Sequence, residues 1–150
     1  MSASATSRLP VFSQTSWTLG STVSPAALRA MLVAGCIAFA GMAGALGDPG
    51  PYLRADPELA FMLRGMAAIK LMIVLAVAGA VVWRFGHPVT RQTAAAYLVG
   101  MWLASGATML VWQLSFIPMA ALTFHVGEFT LLFAAWRDHQ GKLQRRPGAA

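Results

Sequence analysis

The chain has 150 residues, of which 57% are hydrophobic and only 11% are charged. Soluble domains carry about a quarter charged residues, so this composition excludes an ordinary soluble domain and indicates a membrane protein. The net charge of +6 does not indicate nucleic-acid binding, because the basic residues stand in short flanks around apolar spans. A single cysteine, Cys36, leaves neither an intrachain disulfide nor a cysteine zinc cluster to propose.

The N-terminal segment and the first helix differ sharply in composition. Residues 1–23 are rich in serine and threonine and lack periodicity, so we expect a disordered cytoplasmic tail. Ser24 can cap a helix, and Pro25 suits the first helical position. These signals predict a membrane helix over about 26–46.

Small residues recur along this first helix, at Gly35, Gly41 and Gly44. Small residues let transmembrane backbones approach closely, so we expect this helix to pack inside a bundle. An alternative is a secretory signal, because the sequence Ala-Gly-Ala at 43–45 resembles a cleavage site. The apolar run is longer than that of a usual signal, which favours a retained helix.

Three more helices are predicted further along, at about 58–84, 92–113 and 118–136. Asp56 and Pro57 supply the cap and the first position of the second helix, and Thr90 can cap the third. Gly100 and Ala104 place two small residues four apart on the third helix. That spacing predicts a close helix–helix contact.

The distribution of basic residues predicts the topology. One side of the predicted membrane domain, 24–137, is bordered by Arg8, Arg29, Arg84, Arg91, Arg137, Lys142, Arg145 and Arg146. Only Arg54 and Arg64 border the other side, so the positive-inside rule places both termini in the cytoplasm, with 138–150 as a basic tail. We therefore expect an all-α, integral membrane four-helix bundle. The excess of arginine over lysine in this Ala/Gly-rich chain suggests a GC-rich bacterium, and we expect the protein in the inner membrane of such a cell.

Two ionisable residues interrupt the most apolar part of the sequence. Between Arg91 and Arg137, only His125 and Glu128 can ionise at ordinary pH. The 45 residues between those arginines would span roughly 67 Å as helix, about two hydrocarbon thicknesses. Ionisable residues inside a membrane are rare and usually face protein or water. His125 and Glu128 are therefore the first candidates for function.

Helical rise places other polar groups at a similar depth. Counted from the cytoplasmic ends, Lys70 and Thr108 each lie about 21 Å deep, and Ser105 lies about 16 Å deep. His125 lies about 17 Å deep and Glu128 about 12 Å. We therefore expect a polar layer in which Lys70 and Glu128 form a buried ion pair. Ser105, Thr108 and His125 would complete its hydrogen bonds.

This layer permits several interpretations. The pair could fix helix register only, or it could carry protons or a ligand. Alternatively, Lys70 could snorkel outward without a partner. Soft methionine sulfurs with His125 could pass copper(I), although methionine more often fills packing gaps. With one histidine in the membrane, a bis-histidine haem site is excluded unless a second subunit contributes the other ligand. We assign no metal site, and the sequence does not identify a cofactor.

Two functions follow from these observations. The first is a non-catalytic membrane subunit or accessory protein that binds partner helices, or a second copy, within the lipid bilayer. The second is a small oligomeric transporter or proton-coupled carrier with the polar layer as its path. An enzyme is disfavoured, since the sequence contains no nucleophile elbow, phosphate loop, HExxH motif or paired catalytic carboxylates.

Overall fold

The described part of the protein consists of four long helices. A computed structural model describes residues 24–47 and 56–144, without the side chains of 141–144. The four helices are α1 (Pro25–Leu46), α2 (Pro57–Arg84), α3 (Arg91–Trp112) and α4 (Ile117–Gln144). The predicted number of helices is confirmed. The N-terminal segment, 1–23, lies outside the described residues.

The helices begin where the sequence signals predict. The Ser24 hydroxyl accepts a hydrogen bond from the Ala27 amide at 3.1 Å, and Asp56 accepts one from the Leu59 amide at 3.0 Å. Thr90 caps α3 in the same way. Each cap provides an acceptor for one of the amides that the first turn of a helix leaves unpaired.

The fourth helix is longer than its sequence suggests. Instead of ending near Trp136, α4 continues to Gln144. Asp138, which we expected in the C-terminal tail, is therefore helical and contacts α2 through Arg84. This tertiary contact holds a polar segment in helical conformation that hydrophobicity alone does not predict.

The third helix is the centre of the bundle. Each of α1, α2 and α4 packs extensively on α3, whereas no other pair of helices does. In the most apolar stretch of α3, 56% of the residues are buried. The corresponding stretches of α1, α2 and α4 have only 17% to 22% of their residues buried. The core residues of α3 include Met101, Ala104 and Ala107. The fold is thus three helices arranged around a fourth.

The outer surfaces of these helices are apolar. Exposed fractions reach 80% for Phe61, 69% for Met72 and 70% for Phe129. All four helices are long and apolar enough to cross a membrane, with mean hydropathies of 1.4 to 2.3 in their most apolar stretches. The described region is that of a multi-pass membrane protein, with side chains on its surface that suit lipid.

Both described ends of the chain lie at the same end of the bundle. Arg29, near the start of α1, donates from Nε to the Val82 carbonyl near the end of α2 at 3.1 Å. Arg84, the last residue of α2, binds Asp138 near the end of α4. We call this the arginine end, after its four described arginines: Arg29, Arg84, Arg91 and Arg137.

Candidate polar site within the membrane

His125 and Glu128 form a contact on α4 that is turned away from the bundle core. His125 Nδ1 lies 3.1 Å from Glu128 Oε2. The two residues share a face of the helix, as their spacing of three predicts. Their side chains are nevertheless 60% and 37% exposed, so this chain does not cover them.

His125, the more exposed residue of this pair, belongs to an apolar stripe on α4. We define the outer stripe by its exposed members, Leu122, His125, Val126, Phe129, Phe133 and Trp136. Each of these residues lies three or four positions from at least one other member, so together they form one continuous face. A histidine at the centre of such a face is the kind of group that a membrane protein normally covers.

Lys70 contacts an aromatic ring. Its Nζ lies 3.8 Å from the centroid of the Phe124 ring, which is buried between α2 and α4. Arg84 forms an ion pair with Asp138 and His125 contacts Glu128, whereas Lys70 is not paired with Glu128 in the part of the chain that the structure describes. Phe124 lies one turn before Glu128 on α4. The ammonium group of Lys70 therefore contacts the Phe124 ring and not the Glu128 carboxylate. A desolvated cation–π contact contributes about 2 kcal/mol.

The two α3 hydroxyl groups of the predicted layer, those of Ser105 and Thr108, form hydrogen bonds elsewhere. Ser105 Oγ donates to the Trp102 carbonyl at 3.0 Å and approaches the Cys36 carbonyl of α1 at 3.4 Å. Thr108 Oγ1 donates to the Ala104 carbonyl at 2.8 Å. Neither hydroxyl bonds to Lys70, His125 or Glu128 in the part of the chain that the structure describes. The residues of the predicted polar layer therefore lie on three different sides of the bundle.

Two grooves separate helices that pack on α3 but not on each other. The α2–α4 groove has a volume of about 540 Å³ and is bordered by the outer residues of α2 and α4, with Tyr97 and Met101 of α3 behind them. Glu128 lies on its wall. The α1–α2 groove has about 390 Å³ and includes Ser105 and Thr108. Both grooves result from the central position of α3.

The strongest polar contact of the described structure is absent from our sequence analysis. Arg84 is only 8% exposed, and its Nε and Nη2 donate to both carboxylate oxygens of Asp138, with a distance of 2.6 Å from Nη2 to Oδ1. Nη2 also donates to the Pro88 carbonyl at 3.2 Å. The available signal was that Asp138 is the only acidic residue after Glu128 in an otherwise basic sequence.

Glycines set the distance between α3 and α4. A Cβ atom on Gly127 would lie 2.8 Å from the Gly100 carbonyl oxygen and 3.1 Å from the Ala104 nitrogen. Gly100 and Ala104 thus lie at this close contact with Gly127. Gly127 is not among the residues that we single out from the sequence, although Ala120, Gly127 and Ala134 recur at intervals of seven and so share one face of α4.

The glycines of α1 play different roles. A Cβ atom on Gly35 would lie 2.0 Å from Trp102 Nε1, and one on Gly44 would lie 3.1 Å from the terminal methyl of Met109. Both therefore make room for side chains of α3. A Cβ atom on Gly41 would have nothing of this chain within 4 Å, so Gly41 belongs to an outward face.

The described residues restrict what the site can bind. Across 24–47 and 56–144, no three His, Cys, Asp or Glu side chains group closely enough to hold a metal ion. Cys36 lines the α1–α2 groove, whereas His125 lies on the outer stripe. The imidazole of His125 and the carboxylate of Glu128 can donate and accept hydrogen bonds. That is the chemistry that these residues offer by themselves.

Comparison with known proteins identifies no relative. No family model matches the chain, and no curated protein or solved structure is significantly similar to it. The functional argument therefore depends on the geometry of the chain itself.

Proposed function

We propose that this protein is a non-catalytic membrane subunit or accessory protein that binds partner helices through the outer stripe of α4. The observation that supports this function is the exposed His125–Glu128 pair. Counted along the helix, His125 lies about 12 Å from Ile117 and Glu128 about 12 Å from Trp136. Both residues are therefore far from either end of the apolar segment.

The physical reason is the cost of polar groups in lipid. An ionised residue at the centre of a membrane helix costs about 2.5 to 3.5 kcal/mol on insertion scales. The hydrogen bond between His125 and Glu128 reduces this cost, but the pair still faces outward. A partner helix with a hydrogen-bond donor would remove the pair from lipid and satisfy the second carboxylate oxygen.

A second outward face supports the same function. Ala34, Ala38, Gly41 and Ala45 are all exposed on α1 at intervals of three or four. Such a face permits close approach of another helix. We place the protein in a bacterial inner membrane, with the arginine end and both termini in the cytoplasm. This orientation follows the positive-inside rule, since Asp56, Glu58 and Arg64 lie toward the other end.

Photo-crosslinking in the native membrane tests this function. A benzophenone amino acid at Phe129, on the outer stripe, should crosslink to one membrane protein of defined mass, or to a second copy. The same amino acid at Phe61, which is 80% exposed on α2, is the matched control. Glu128→Gln should reduce the Phe129 adduct. If only lipid is crosslinked at Phe129, or if Glu128→Gln leaves the adduct unchanged, the proposal fails.

A proton-coupled carrier is the second candidate. The observation that favours it is the position of Glu128, which contacts His125 and also borders the α2–α4 groove. A carrier would lose transport in Glu128→Gln while retaining its oligomeric assembly. A subunit would instead lose its partner. Proton-flux measurements in vesicles, combined with the crosslinking above, separate these two outcomes.

A further inference from the structure

The α2–α4 groove runs along the arginine half of the bundle. Its α2 wall extends from Ile73 to Arg84 and its α4 wall from Phe124 to Ala135. Each wall covers eleven helical steps, about 16 Å. That length matches one leaflet of a hydrocarbon core about 30 Å thick. The groove therefore spans the depth that one acyl chain of a lipid occupies.

The arginine end of the groove is polar, in contrast to its walls. Trp83 and Arg84 both line it there, and His87 packs against the Trp83 ring at 5.2 Å. Tryptophan at a groove end of this kind is typical of the headgroup level. Arg84 Nη1 is buried without a hydrogen-bond partner among the described residues. A buried donor of this kind is costly unless an acceptor reaches it.

We propose that the α2–α4 groove binds an anionic glycerophospholipid, with an acyl chain between α2 and α4 and the phosphate at Arg84. The walls supply apolar contact along one leaflet, and the phosphate supplies the acceptor for Nη1 after displacing the side chains that enclose it. Basic pockets between membrane helices are suited to anionic headgroups. The arginine end carries four described arginines against one described acidic residue, Asp138, so its net charge suits an anionic headgroup.

A lipid fits the groove better than a partner helix does. The arginine end of the groove contains Arg84, whose Nη1 lacks an acceptor among the described residues. An anionic headgroup supplies such an acceptor, whereas an apolar membrane helix does not. A single acyl chain is thinner and flexible, so it can follow the gap between α2 and α4.

Lipid retention by groove variants tests the proposal. Purified protein is exchanged into mild detergent with phosphatidylglycerol or phosphatidylcholine, and bound lipid is measured by native mass spectrometry. Ala80→Trp and Ala135→Trp fill the groove from opposite walls. Ala76→Trp, one turn from Ala80 and exposed outside the groove, is the matched control. Wild type and the control should retain phosphatidylglycerol, and both filled variants should lose it several-fold.

The same experiment can overturn the proposal in two ways. Equal retention of phosphatidylglycerol by Ala80→Trp, Ala135→Trp and wild type would exclude the groove as the lipid site. Equal retention of phosphatidylcholine by the wild type would exclude an anionic headgroup at Arg84. Thermal unfolding of each variant shows whether a loss of lipid reflects a filled groove or a misfolded bundle.

A test on the unaltered chain does not depend on folding of the variants. Phosphatidylglycerol with a diazirine in one acyl chain is added to membranes, irradiated, and its adducts are mapped by peptide mass spectrometry. Adducts should concentrate on groove residues such as Val77 and Leu132. Adducts spread equally over Phe61 and Ile69 on the outer surface of α2 would indicate ordinary lipid contact. Absence of adducts on the groove residues would exclude the groove as the lipid site.

Discussion

Arg84 and Asp138 join the ends of α2 and α4 through two parallel hydrogen bonds between a guanidinium group and a carboxylate. The side chains are only 10% and 15% exposed, so water screens the pair weakly. Because α2 and α4 share little other packing, this contact joins the two walls of the α2–α4 groove at the arginine end. It is therefore the contact whose removal should change the bundle most.

We expect Asp138→Asn to lower the free energy of unfolding by about 3 kcal/mol, since it leaves Arg84 buried without its counter-charge. The double variant Arg84→Met, Asp138→Leu should recover much of this loss. Thermal unfolding in detergent provides the measurement. Arg137→Gln, at the exposed neighbouring arginine, should change stability by less than about 0.5 kcal/mol. Equal effects of Asp138→Asn and Arg137→Gln would contradict the burial of the pair.

The contact between Gly100 and Gly127 gives a second prediction. Gly127→Ala should destabilise the bundle by about 1 to 3 kcal/mol, because its Cβ would meet the Gly100 carbonyl and the backbones must separate. Gly65→Ala and Gly79→Ala are matched controls, since a Cβ at either glycine meets nothing of this chain within 4 Å. Both controls should be neutral or slightly stabilising in unfolding measurements.

Gly35 and Gly41 should respond differently to the same substitution. Gly35→Ala forces the Trp102 indole to move and should disturb its stacking on Phe39, whose ring lies 5.7 Å away. We expect lower thermal stability and a shifted tryptophan emission spectrum. Gly41→Ala should leave both quantities unchanged in the purified protein. An unchanged spectrum for Gly35→Ala would show that the indole does not occupy this position.

The partner of Lys70 can be identified with double-mutant cycles. The geometry predicts a coupling of about 2 kcal/mol between Lys70→Met and Phe124→Leu, because they remove opposite sides of a cation–π contact. Lys70→Met and Glu128→Gln should be additive within about 0.5 kcal/mol. A large coupling in the second cycle would instead support the ion pair expected from the sequence.

The proposed orientation is tested with reporter fusions. An even number of membrane crossings places both ends of the chain on the same side. Fusions after Pro88 and at the C-terminus should report the cytoplasm, and a fusion between α1 and α2 should report the outside. A fusion after Pro88 that reports the outside would reverse the orientation that the positive-inside rule gives.

The fold could be predicted because its signals are local. Hydrophobic length, the caps at Ser24, Asp56 and Thr90, and the prolines determine where the helices begin. The end of α4 could not be predicted in this way. It depends on the contact between Asp138 and Arg84, which lies 54 residues before Asp138 in the sequence.

The candidate site could be predicted only in part. The sequence gives the depth of each residue in the membrane but not the direction in which its side chain points. Helical rise gives the depth of Lys70, Ser105 and His125 in the membrane. It does not give the direction in which a helix turns each side chain, which depends on how the helices rotate against each other. That rotation is determined by contacts such as Gly127 against Gly100. As a result, residues at one depth can occupy three sides of a bundle.

The central position of α3 has a consequence for how the protein is made. During synthesis α1 and α2 leave the ribosome first, yet the surface on which both of them pack is on the helix that follows. Until α3 enters the bilayer, the first two helices have little to hold them together beyond their lipid surroundings and the Arg29–Val82 contact. The bundle can therefore assemble only after α3 has inserted. Insertion factors and quality-control proteases have most access to the nascent chain while only α1 and α2 are in the membrane.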